Sequence, residues 1–135
     1  MMDLRRLIPA ILILSGLSAC QDEAPAPDAI SVPSGRALSL IEVVTNVPGP
    51  EGATARFRFL APGLKPEEAA AAQDDMQVLC DEYALPRTSG MVPAPRQIII
   101  SLSAEKVPFG QAAPGVVQFF EAYSLQDGAC MWEQF

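Results

Sequence analysis

The chain has 135 residues, of which 50% are hydrophobic and 19% charged, with a net charge of −7 and no histidine. A length of this order suits one compact domain and leaves little room for a second. The acidic balance offers no positive face to DNA or RNA, and the lack of histidine removes the commonest general base and the commonest transition-metal ligand together.

Residues 1–19 read as an export signal, with Arg5 and Arg6 as the positive n-region and residues 7–17 as a short apolar core. That core is too short to span a bilayer, which takes about 20 apolar residues. Leu17-Ser18-Ala19-Cys20 follows the lipobox order: an apolar residue, two small residues, and a cysteine whose thiol accepts a diacylglycerol. Cleavage between Ala19 and Cys20 makes Cys20 the acylated first residue. Each buried methylene of its acyl chains contributes about 0.8 kcal/mol to membrane attachment. Gln21, not Asp, follows the cysteine, which points to an outer-membrane lipoprotein facing the periplasm, with the inner membrane as the alternative. Removing Arg5, Arg6 and Asp3 leaves 7 basic and 15 acidic residues of the original 9 and 16, a net charge of −8.

Residues 20–33 are rich in proline, alanine and acid, a composition that buries no core and reads as a tether. The domain proper is expected over 34–135. Residues 38–44 and 53–60 alternate as strands, the second with Ala55, Phe57 and Phe59 on one face and Arg56 and Arg58 on the other. The turn-rich Asn46-Val47-Pro48-Gly49-Pro50-Glu51-Gly52 between them predicts a hairpin with a long loop. Arg56 and Arg58 have two readings: an anion site suited to a carboxylate or phosphate, or the solvated face of a half-buried strand.

A helix is predicted over 66–84, with Pro66 at its first position, Glu67 and Glu68 at its positive end, and Leu85-Pro86 as its stop. Its apolar stripe is Ala69, Ala72, Met76, Leu79, Cys80 and Tyr83, and Asp74, Asp75, Asp81 and Glu82 are read as a solvated face. Residues 87–95 form a loop. Residues 96–103, with Ile98, Ile99 and Ile100 in succession, predict the most buried, central strand. Residues 107–109 are a candidate short strand, and 116–125 a longer one closed by an Asp127-Gly128 turn. That turn sets a register of Gln126 against Ala129, Leu125 against Cys130, Tyr123 against Trp132 and Phe120 against Phe135. Leu125, Cys130, Tyr123 and Trp132 then lie under the helix, and Phe120, Met131 and Phe135 lie on the far face, as core under loops or as a partner surface.

Cys80 on the helix stripe and Cys130 on the facing strand, in a chain bound for an oxidising compartment, predict a disulfide, with a pair of buried thiols as the alternative. Neither belongs to a C-x-x-C motif, and two thiols without histidine leave a zinc shell short. The expected fold is α+β, a mainly antiparallel sheet in ββαβββ order with one helix on one face.

Arg56-Phe57-Arg58-Phe59-Leu60-Ala61-Pro62, Asp75-Met76-Gln77-Val78-Leu79-Cys80, Gln97-Ile98-Ile99-Ile100-Ser101-Leu102 and the tail from Gln118-Phe119-Phe120 to Cys130-Met131-Trp132-Glu133 together resemble a family of small exported proteins and lipoproteins of unknown function from alphaproteobacteria. The resemblance spans residues 32–135 and brings no catalytic residue. Some of its members carry an acetolactate synthase label, but this chain lacks the Gly-Asp-Gly motif and the length of a thiamine diphosphate enzyme. With no catalytic constellation, no cofactor and no metal site expected, the first functional reading is a non-enzymatic binding or structural module of the envelope. It is anchored in the bilayer through Cys20 and meets an envelope protein. The alternative is a small-molecule or anion binder using Arg56, Arg58, Ser101 and Ser103. A hydrolase ranks last, for no nucleophile-elbow motif is present.

Overall fold

The computed structural model describes residues 30–134. The signal, Cys20, most of the tether and Phe135, with its expected pairing to Phe120, lie outside the described residues. The fold is α+β. Five strands, β1 (Ser39–Val44), β2 (Thr54–Leu60), β3 (Gln97–Ser103), β4 (Gln118–Gln126) and β5 (Ala129–Glu133), form one sheet in the order β1-β2-β3-β4-β5. Three of the four pairings are antiparallel, whereas β2 and β3 run parallel. Parallel neighbours need a long crossover, and the helical stretch between them supplies it.

That stretch is where the expected ββαβββ order differs, because four pieces replace the one helix. A 3-10 turn (Pro66–Glu68) leads into α1 (Ala69–Val78), a π-helical turn (Leu79–Ala84) and the short α2 (Leu85–Arg87). Leu79 and Cys80 in the π-helical turn both face inward, as the predicted stripe has them. Helical structure also runs past the predicted stop. Pro86 is the second residue of α2, which continues directly from the π-helical turn. The expected strand at 107–109 is loop.

β3 lies at the centre of the sheet, as its isoleucines predict. Its inner face carries Ile98, Ile100 and Leu102, flanked by Ala55, Phe57 and Phe59 of β2 and Tyr123 of β4, all buried under Ala72, Met76, Leu79 and Cys80. Tyr83 packs edge-on against Phe57 and Phe59, with ring centroids at 6.4 and 5.3 Å. The Asp127-Gly128 turn gives the predicted register, Leu125 opposite Cys130 and Tyr123 opposite Trp132. Both turn residues have positive φ, 51° and 74°, as a two-residue hairpin of this type requires. Cys80 and Cys130 are joined in a disulfide with Cα atoms 6.2 Å apart. Trp132 departs from its expected place under the helix and stays 41% exposed. The helical layer reaches β5 at Cys130, where the Gln77 amide donates to the Cys130 carbonyl at 3.2 Å, and leaves the Trp132 end bare. There the indole N–H donates to Glu121 at 2.7 Å.

Asp75, read from the sequence as part of a solvated face, is fully buried. It accepts the Ser34 backbone N–H (2.9 Å), the Ser34 hydroxyl and the Arg36 Nε–H (3.0 Å), while Arg36 Nη2 reaches Glu68 at 2.9 Å. This clamp fixes the segment before β1 onto the helix. Val32, within the stretch read as tether, is 7% exposed and belongs to the core.

Among the described residues one buried side-chain group lacks a partner. The Tyr123 hydroxyl has no hydrogen bond among the described residues, and burial, aided by the charges of Glu121 and Asp81, pushes its pKa up. Leaving a buried hydroxyl unpaired costs about 1–3 kcal/mol. Tyr123→Phe is therefore expected to stabilise the domain by about 1 kcal/mol in urea unfolding. A loss of that size would mean the hydroxyl is bonded.

Candidate functional site

Side chains alternate along strands, so the residues between the inner positions build the opposite, open face of the sheet. Register places Arg56 beside Ile99 and Ala122, and Arg58 beside Ser101 and Phe120. The connection from β3 to β4 folds back over this face through Val107, Pro108 and Phe109. A cleft of about 260 Å³ remains, lined by Arg56, Arg58, Ile99, Ser101, Gln118 and Phe120 on the sheet side and by Phe109 and Gln111 on the loop side. Ligand pockets commonly run from about 300 Å³ upward, so this one suits a small guest.

The two arginines do different work. Arg58 is 8% exposed and not the solvated residue that strand alternation suggests. Its Nη1 pairs with the Glu42 carboxylate across the β1–β2 ladder and its Nη2 donates to the Val107 carbonyl, so it ties the covering loop to the sheet with its charge neutralised. Arg56 donates Nη1 to the Val47 carbonyl, a neutral acceptor, and no carboxylate pairs with it among the described residues. The Phe109 ring holds both guanidiniums, at 5.7 Å from Arg56 and 5.6 Å from Arg58. One cation in the cleft is thus neutralised and one is not.

Of the other residues proposed from the sequence, Ser101 lines the cleft, but Ser103 donates its hydroxyl to the Glu105 carbonyl and takes no part in the lining. Cys80 and Cys130 meet on the opposite face, in the disulfide. Cys20 lies outside the described residues. Sequence reasoning missed Phe109, Gln111 and Gln118 as lining residues. The signal was the Lys106-Val107-Pro108-Phe109-Gly110 run, whose proline and glycine fit a covering loop better than a strand. A second depression of about 270 Å³, lined by Thr45, Thr54, Met91, Val92, Pro93 and Pro95 among others, offers no charged side chain. Among the described residues no group of three histidine, cysteine, aspartate or glutamate side chains is placed to hold a metal ion. Among the same residues no helix is long and apolar enough to cross a membrane.

Neither the curated proteins nor the solved structures contain a match to this chain. The model of a family of unknown function, DUF6497, matches residues 13–135, nearly the whole sequence, and the chain belongs to that family.

Proposed function

We propose that the protein is a membrane-anchored periplasmic lipoprotein that acts as a non-enzymatic binding module, with the cleft over Arg56 as its site for a small anionic ligand. The observation that carries the binding reading is the Arg56 guanidinium, unpaired with any carboxylate among the described residues, at a preformed apolar cleft beside Ser101, Gln111 and Gln118. A charge-assisted hydrogen bond to such a group is about twice as strong as a neutral one. The lipobox Leu17-Ser18-Ala19-Cys20 supports the anchor, and Gln21 supports the outer membrane.

A second reading rests on the edge strand β5, which exposes Met131 (49%) and Trp132 (41%), and an envelope protein partner would dock there.

Two measurements test these parts. Replacing Cys20→Ala is expected to abolish incorporation of labelled palmitate and move the protein from the membrane to the soluble periplasmic fraction; unchanged fractionation would refute the anchor. Amide shift mapping of the isotope-labelled protein against a small-molecule extract of its host is expected to perturb Arg56, Ser101, Phe109 and Gln118, and to lose that response in Arg56→Gln. Shifts produced only by the protein fraction and confined to β5 would favour the second reading.

A further inference from the structure

We infer that the ligand of the cleft is a monocarboxylate with a compact apolar body, a single ring or a branched chain, an assignment that rests on the anion-binding reading above. Charge decides the first half. Arg58 is matched by Glu42, so a guest in the cleft finds one positive charge left uncompensated among the described residues, that of Arg56. A monoanion neutralises it. A phosphate or dicarboxylate brings a second negative charge into a partly desolvated site beside Glu42, on a chain whose own net charge is −7, and that charge has no cation to meet.

Shape and lining decide the second half. Beside the guanidinium, the floor is Ile99 and Ser101 and the walls are Val107, Pro108, Phe109 and Phe120. Phe120 is the most telling of these, because an aromatic side chain left 68% exposed beside an open cleft gains cover only when something apolar lies against it. The Ser101 hydroxyl and the Gln118 amide line the same cleft and supply neutral donors for the carboxylate. The volume, about 260 Å³, limits the body to metabolite size.

The test uses the full-length protein in phosphatidylcholine nanodiscs and calorimetric titration with phenylacetate, acetate, succinate and inorganic phosphate. Phenylacetate is expected to bind at least about tenfold more tightly than the other three, and Arg56→Gln to weaken it by about tenfold or more. Phe120→Ala, a substitution at an exposed position, is expected to weaken it several-fold without moving the thermal midpoint. Glu42→Gln, which unmasks Arg58, is expected to raise succinate affinity several-fold. Phosphate or succinate binding as tightly as phenylacetate, in an Arg56-dependent way, overturns the ligand class and leaves the cleft as an anion site. Acetate matching phenylacetate overturns the apolar body. No binding by any probe at millimolar concentration overturns both the class and the anion-site reading.

Discussion

Replacing both cysteines, Cys80→Ala with Cys130→Ala, is expected to lower the unfolding free energy by about 4 kcal/mol and the thermal midpoint by roughly 15–30 °C. The bond links positions 50 residues apart and so removes much of the conformational freedom of the unfolded chain. It also joins the π-helical turn to the edge strand β5, an element otherwise held by its one ladder to β4 and by side-chain bonds from Gln77 and Gln97. A domain of this size has a stability of about 5–15 kcal/mol, so the loss takes a large share of it. Calorimetry on the double variant, beside wild type with and without reductant, checks the figure. Reduced wild type should melt close to the variant, and a drop of only a few degrees would mean that the core holds β5 without the bridge.

The second large effect is at Asp75. Asp75→Ala is expected to cost about 3 kcal/mol, because Arg36 and the Ser34 N–H and hydroxyl lose their shared, fully buried acceptor, although Arg36 keeps Glu68. Ser34→Ala, which leaves the Arg36–Asp75 pair in place, should cost only about 1 kcal/mol. Hydrogen exchange separates this clamp from general loosening, since the Asp75 variant should first expose amides around Val32 and Ser34 while β3 stays protected. Equal protection at both places would contradict a clamping role. The Glu68 carboxyl adds a pH signature: the Arg36 guanidinium, then the Lys65 backbone N–H, hold its pKa below the ordinary 4.5. A depressed carboxyl contributes stability above its unfolded pKa and loses it as pH falls through the folded one. The contribution is therefore present above about pH 4.5 and fades below it, and Arg36→Gln should flatten that part of a stability–pH curve.

The features legible in the sequence are those set by local chemistry. Asp127-Gly128 alone dictated the β4–β5 register, because only a tight hairpin turn accommodates it, and the register carried Cys130 to the face that Cys80 points toward. The consecutive isoleucines marked β3 as central, although Ile99, on the open face, is only half-buried. The failures are non-local. Nothing near Asp75 reveals that Ser34 and Arg36, some 40 residues upstream, fold back to meet it. Alternation put Arg58 on the open face correctly, but the loop that covers that face comes 49 residues later. Trp132 shares the inner face of β5 with Cys130, and its exposure depends on where the helical layer ends, a length that periodicity does not encode. The difference between Arg56 and Arg58, on which the functional reading rests, is likewise a tertiary property. The sequence offers two arginines on one face, and only Glu42 and Val107 tell them apart.

That difference is open to one direct measurement, the side-chain Nε–H resonances of Arg56 and Arg58 in the intact protein as phenylacetate is added. Arg56 is predicted to shift and its proton to exchange more slowly with water as it takes the carboxylate, while Arg58, already tied to Glu42 and the Val107 carbonyl, stays in place. A shift at Arg58 with none at Arg56, or saturating additions that move neither, would contradict the account.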